Sequence, residues 1–179
     1  MLLRRWAAAL VAALALAGVQ VVAATPAQAA ARILYYDASQ AQEFIAVVNQ
    51  GAQIWNSAVA NVQLQPVPAG RTPNIRVYAD NGWPRTYSTS LGNGRWYMGR
   101  EAVVDGYYPP RIAAHEFGHI LGLPDNRTGL CTDLMSGSSA PVACKNAVPS
   151  AAEKAAVERL FRTSVTVAPQ TYVWVGSAA

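Results

Sequence analysis

Residues 115–119 read His-Glu-Phe-Gly-His, and the spacing of that pattern has chemical content. Residues four apart share one face of a helix. His115 and His119 can therefore converge on a single ion, with the Glu116 carboxylate beside it. Neutral imidazole suits zinc, and a catalytic zinc takes three protein ligands and keeps one position open. The five-residue pattern alone recurs by chance in unrelated helices, so its surroundings decide its meaning. Gly122 stands three residues past His119, and Asp125 three beyond that. A glycine there can take the left-handed conformation that ends a helix and turns the chain back, which brings Asp125 to the same ion. The chain holds two histidines in all, so the third ligand is not a histidine. Asp125 is the nearest candidate. The alternatives are Glu153 or Glu158 near the C-terminal end, neither of which comes with a supporting pattern.

The flanking residues Ile112, Phe117, Ile120 and Leu121 are apolar, so the helix that carries the histidines is expected to be largely buried. Two imidazoles and a carboxyl group buried there would be costly without a metal to satisfy them. The competing reading is a polar pair on an exposed helix face.

Other segments have to position this helix. Residues 32–37 (RILYYD) are β-branched and aromatic and predict a strand. Ser39 and Gln42 have capping-box spacing, and Phe44, Ile45, Val48, Ala52, Trp55 and Val59 recur at helical intervals behind them. This predicts a long helix over 40–58 with Trp55 in the core. Residues 62–67, 75–79 and 95–99 predict three further strands. Residues 80–94, rich in Gly, Asn, Ser and Pro, read as loop. Pro109 and Pro110 open the histidine-bearing helix, since proline is tolerated in a first turn. Ser150 and Glu153 give a second capping box, followed by the apolar stripe Ala155, Ala156, Val157, Leu160 and Phe161 of a C-terminal helix. No internal repeat is present. The order (strand, helix, three strands, helix, irregular segment, helix) is that of an α+β fold with its chemistry on the second helix.

With 179 residues, 52% hydrophobic and 13% charged, the chain suits one domain with a buried core. Met1 to Arg5 is short and basic, residues 6–24 are almost wholly apolar, and Ala27-Gln28-Ala29 offers small residues at the positions a signal peptidase needs. Residues 1–29 are therefore expected to be a cleaved secretory signal; an uncleaved membrane anchor is the alternative. No second apolar stretch of spanning length follows, so no membrane association is expected after cleavage. Leaving aside Arg4 and Arg5, twelve basic residues face ten acidic ones. No dense basic run remains, and a nucleic-acid partner is not expected. Cys131 and Cys144, an even pair in an exported chain, are expected to form a disulfide. Few residues separate the expected cleavage site from the first strand, leaving little room for an inhibitory segment. No cysteine precedes Cys131 in this sequence, so a cysteine switch is not expected.

The elongated sequence HEFGHILGLPD, followed by Cys131, Leu134-Met135-Ser136 and Cys144, resembles snapalysin, the small neutral metalloprotease family of Streptomyces and its relatives. The resemblance runs over about residues 33–161 and includes Gln53-Ile54-Trp55-Asn56-Ser57. It implies a metzincin-like zincin fold: a small twisted mixed sheet, a long N-terminal helix, an active-site helix, a methionine turn at Met135 beneath the metal, and a C-terminal helix. It also implies one catalytic zinc on His115, His119 and Asp125. Glu116 would act as general base, and residues 95–99 would be an edge strand that pairs with an extended substrate. A preference for an aromatic residue just after the cleaved bond is a further implication.

The chain departs from that family in three places. Tyr108 and Pro110 stand where the family has calcium ligands, and Asp105 is nearby but unmatched, so calcium is not expected. Asn126-Arg127 replace a His-Tyr pair, leaving the role of transition-state donor vacant or taken by Arg127. Residues 165–179 extend past the family's usual end, as an added strand or a loose tail. The expected whole is a secreted, extracellular zinc endopeptidase domain over 30–164, monomeric, acting on protein or peptide substrates. The alternative is an exported non-catalytic zinc-containing binding or adhesion domain on the same fold.

Overall fold

The computed structural model describes residues 30–163 and 166–174. The expected signal segment, 1–29, lies outside the described residues. The strands are β1 (Arg32–Gln40), β2 (Val62–Pro66), β3 (Ile75–Asp80), β4 (Arg85–Ser90), β5 (Asn93–Gly99) and β6 (Gln170–Val173). The helices are α1 (Ile45–Ala58), α2 (Arg100–Val104), α3 (Pro109–Ile120) and α4 (Ala151–Arg162). Together they make the expected α+β fold. The strands form one mixed sheet in the order β2-β1-β3-β5-β4-β6. The first four neighbours in that order pair in parallel, and β4 pairs antiparallel with both β5 and β6.

Strand alternation places Leu34 and Tyr36 of β1, Ile75 and Val77 of β3, and Trp96 and Met98 of β5 on the buried face. Helix α1 covers that face with Val48, Ala52 and Trp55 and crosses α3 closely. A Cβ on Gly51 would stand 2.9 Å from the Ala113 side chain, so this crossing needs a glycine. Trp55 is fully buried, as expected, and its indole N–H donates to the Ala114 carbonyl at 2.7 Å. The histidine-bearing helix is thus held from behind by an aromatic hydrogen bond.

Three expectations are corrected. The capping box at Ser39 does not form, because β1 continues through Gln40 to pair with Tyr78 of β3. The Ser39 N–H donates instead to the Asp37 carboxylate, Gln42 takes φ +53°, and a 3-10 turn over Gln42–Phe44 precedes α1. Residues 80–94 are not simply loop, since they contain β4. The inward-facing side chains of β4 are the hydroxyls Thr86 and Ser88, which leave no apolar alternation to read. Strand β5 is consequently interior, between β3 and β4, and not the sheet's edge. The C-terminal extension, read as an added strand or a loose tail, forms an added strand, β6, over residues 170–173.

The second capping box forms as read: Ser150 Oγ accepts from the Glu153 N–H, and the Glu153 carboxylate accepts from the Ser150 N–H. Cys131 and Cys144 are bridged. The buried Arg111 side chain ties the same loop to α3, donating to the carbonyls of Cys131, Asn146 and Asp133 at 3.2, 2.6 and 2.7 Å. Replacing both cysteines by serine should lower unfolding free energy by about 3 kcal/mol, because the bridge closes a loop of about 14 residues. Denaturant titration of both proteins measures this. A loss under about 1 kcal/mol would mean that Arg111 alone fixes the loop. Among the described residues, no helix is long and apolar enough to cross a membrane.

Candidate metal centre

Helix α3 begins at Pro109, and every residue from Pro110 to Ile120 is buried. The one-turn spacing sets the His115 and His119 rings edge to face with centroids 4.5 Å apart. The helix ends at Leu121, and Gly122 follows at φ +93°, the left-handed conformation its position in the sequence suggested. The chain turns back there and brings Asp125 Oδ1 to 3.4 Å from His115 Nε2 and 3.6 Å from His119 Nε2. The three ligand atoms lie within 4.8 Å of one another. This is a group that could hold a metal.

The surroundings of the rings fit that use. His115 Nδ1 lies 3.0 Å from the Leu134 carbonyl oxygen, and His119 Nδ1 lies 2.8 Å from that of Leu123. A carbonyl only accepts, so each Nδ1 carries a proton, and in the neutral ring that binds a metal the Nε2 lone pair is the one turned toward Asp125. His115 Nε2 is buried with no hydrogen-bond partner. A lone pair facing a carboxylate without a proton between them is an unfavourable pair that a cation resolves. Burial, reinforced by the adjacent His115 ring, pushes His119 down to about 3, which keeps it a neutral ligand. Burial raises the Asp125 carboxyl, but its neighbours His115, His119 and the Arg127 guanidinium outweigh it, and the group sits below the usual carboxylate range. Two neutral imidazoles and one carboxylate make a singly negative donor set suited to a divalent cation.

Glu116 lies beside the cluster and is 1% exposed. Its Oε2 accepts from Thr86 Oγ1 of β4 at 2.7 Å, while Oε1 is buried without a partner. Burial raises this carboxyl to about 7, with His115 and the Thr86 hydrogen bond pulling the other way. A cation on the cluster would lower it further by favouring the charged form.

Beneath the rings, Leu134–Ser139 forms a tight turn with Met135 buried. A Cβ on Gly118 would stand 2.6 Å from Met135 Sδ, so the methionine packs directly against the helix turn between the two histidines. The Glu153 carboxylate fixes this turn, accepting from the N–H groups of Leu134 at 3.1 Å and Met135 at 2.7 Å. Glu153 is therefore no ligand of the cluster: its oxygens are committed to backbone amides. Glu158 likewise accepts from the N–H groups of Ala60 and Asn61. Both alternatives to Asp125 are thereby set aside. Asp105 stands at the end of α2 and Tyr108 before α3. Arg127 donates to Asp125 Oδ2 at 3.2 Å and to Ser138 Oγ at 3.1 Å.

Sequence reasoning missed Thr86, the support given by Glu153 and the placement of β6. The capping-box pattern was a partial signal for Glu153, whereas nothing in the local sequence marked Thr86.

Residues 31–164 match the model of the Streptomyces extracellular neutral proteinase (M7) family. The chain is similar to three extracellular small neutral proteases. That of Streptomyces sp. (strain C5) is 39% identical over 148 residues, 82% of this chain and 63% of the relative. That of Streptomyces lividans is 37% identical over 140 residues, 78% of this chain and 61% of the relative. That of Streptomyces caespitosus is 39% identical over 127 residues, 70% of this chain and 94% of the relative. The chain thus spans less than two thirds of the length of the first two.

Proposed function

The chain belongs to the Streptomyces extracellular neutral proteinase (M7) family, and from that premise we propose that it is an exported zinc endopeptidase with His115, His119 and Asp125 as ligands and Glu116 as general base. The observation that carries the reading is the convergence of the three ligand atoms around a buried, unpartnered His115 Nε2, with a carboxyl oxygen of Glu116 also unpartnered beside it. A bound zinc supplies Lewis acidity, lowering the pKa of a water toward ~7 and polarising a peptide carbonyl.

The protein's own groups do the rest. Glu116 Oε1, free of any other partner, accepts the proton of the attacking water and later delivers it to the leaving amine. Thr86 holds the other oxygen and so fixes the carboxyl plane. Arg127, held by Asp125 and Ser138, would be the donor to a carbonyl oxygen that develops charge. An extended peptide pairing with β4 would run past α3, whose Glu116 carbonyl also lies 3.3 Å from the Thr86 hydroxyl. The Tyr107 and His115 rings, against which the Trp174 indole packs edge to face, support a preference for an aromatic residue after the scissile bond. Export is supported by the disulfide and by the relatives' extracellular character. A purely structural metal site would need no buried carboxyl group beside it, which counts against the non-catalytic alternative.

The test is peptide hydrolysis by the purified chain together with metal analysis. One zinc per chain is expected, and a chelator should abolish hydrolysis until zinc is returned. Hydrolysis that persists in a chain shown to be free of metal would overturn the proposal.

A further inference from the structure

Strand β6 lies beyond the residues that match the family model, and it crosses the metal cluster. It pairs antiparallel with β4, Tyr172 opposite Thr86 and Val173 opposite Arg85, and the Trp174 N–H extends the ladder to the Pro84 carbonyl at 2.9 Å. Residues two apart on a strand face the same side. Accordingly Tyr172 stacks flat on the His119 ring, with centroids 3.9 Å apart and planes 2° apart. The Trp174 indole, 2% exposed, meets the His115 ring at 4.7 Å and the Tyr107 ring at 5.5 Å. Between them, the Val173 carbonyl accepts from Arg127, the residue bonded to Asp125, at 3.3 Å. Thr171 and Val173 point the other way, and both are exposed, as is Gln170 at the start of the strand. The segment's interactions are thus concentrated on the two imidazoles and on the arginine that holds the third candidate ligand.

This is how a peptide would be held by the site. Adding a strand to a sheet edge binds the main chain, and alternate side chains enter pockets. With β6 removed, β4 is the sheet edge nearest α3, while the opposite edge, β2, is separated from it by three strands. We infer that residues 170–174 are an intramolecular occupant of the peptide-binding groove, so that the chain masks its own site and any peptide to be cleaved must displace its tail. The inference rests on the endopeptidase reading for the identity of the competing ligand, but not for the occupancy itself.

A tethered ligand competes at an effective concentration of roughly millimolar, so even a weak segment holds the groove most of the time. Pure competition raises KM and leaves kcat alone. In the full-length zinc-loaded chain, the double substitution Tyr172→Ser and Trp174→Ser should lower KM for a quenched-fluorescence peptide by about tenfold at unchanged kcat. A dye-labelled synthetic peptide of residues 166–179 should bind that variant in an anisotropy titration, and bind the parent at least about tenfold more weakly. A variant that shows neither change while retaining its circular dichroism spectrum would overturn the inference. So would a fall in kcat at constant KM, which would make Tyr172 part of the working site instead of a plug. Should the double variant lose its fold, Tyr172→Pro, which removes a ladder N–H and keeps Trp174 in place, is read by the same two measurements. Should neither protein hydrolyse any peptide, the endopeptidase reading fails, and the anisotropy titration alone decides whether the tail occupies the groove.

Discussion

Glu116→Gln is expected to lower kcat/KM for peptide hydrolysis by about 10³-fold while the chain still binds one zinc. The substitution is nearly isosteric and keeps an acceptor for the Thr86 hydroxyl, which stands 2.7 Å from Glu116 Oε2. What it removes is the basic oxygen at the second position, Oε1, which has no partner. An amide NH₂ there can neither take a proton from water nor return one to the leaving amine. The fold should tolerate the change, because burial already raises the Glu116 carboxyl to about 7 and a neutral amide avoids that desolvation. Metal content by mass spectrometry and steady-state kinetics on one peptide are the two measurements. Undiminished turnover would remove Glu116 from the mechanism. Lost zinc would instead show that the carboxyl helps to hold the metal.

The site was more legible than the frame around it, and the reason is physical. His115, Glu116 and His119 sit on one helix, where spacing fixes which side chains meet, and two histidines in the whole chain restrict the ligand choice. Gly122 could be read as a helix end because a left-handed position favours glycine, and its φ of +93° is of that kind. Proline at the start of α3 and the Ser150–Glu153 box were equally local signals. The failures were non-local. Ser39 had the right spacing for a cap, but pairing between Gln40 and Tyr78 kept the backbone extended. Strand β4 was hidden because Thr86 and Ser88 face inward where an apolar residue would have announced a strand. That one omission also misplaced the edge of the sheet on β5, and with it the expected substrate strand. The choice between an added strand and a loose tail at the C-terminal end stayed open, because β6 is stabilised by partners more than eighty residues away that no pattern within four residues can report.

Glu153→Ala is expected to couple a stability loss to a loss of metal affinity. The buried carboxylate accepts from three backbone amides, those of Leu134, Met135 and Ser150. Removing it strands buried donors, each costing about 1–3 kcal/mol, partly recovered by water, for a total of about 4 kcal/mol. In a domain of this size that lowers Tm by roughly 8–16 °C. The effect should not stop at stability, because the turn that Glu153 holds is also the one that orients His115. The Leu134 carbonyl faces His115 Nδ1 at 3.0 Å, and Met135 packs under Gly118 between the two histidines. A turn free to shift releases that imidazole, and loss of such a supporting hydrogen bond costs about 10–100-fold in metal affinity. Glu153→Gln retains one acceptor and should fall between the parent and the alanine variant in both readouts. Zinc titration against a competing chelator, at a temperature where each variant remains folded, separates the two effects. A lowered Tm with unchanged zinc affinity would mean that packing of Met135 alone keeps His115 in place.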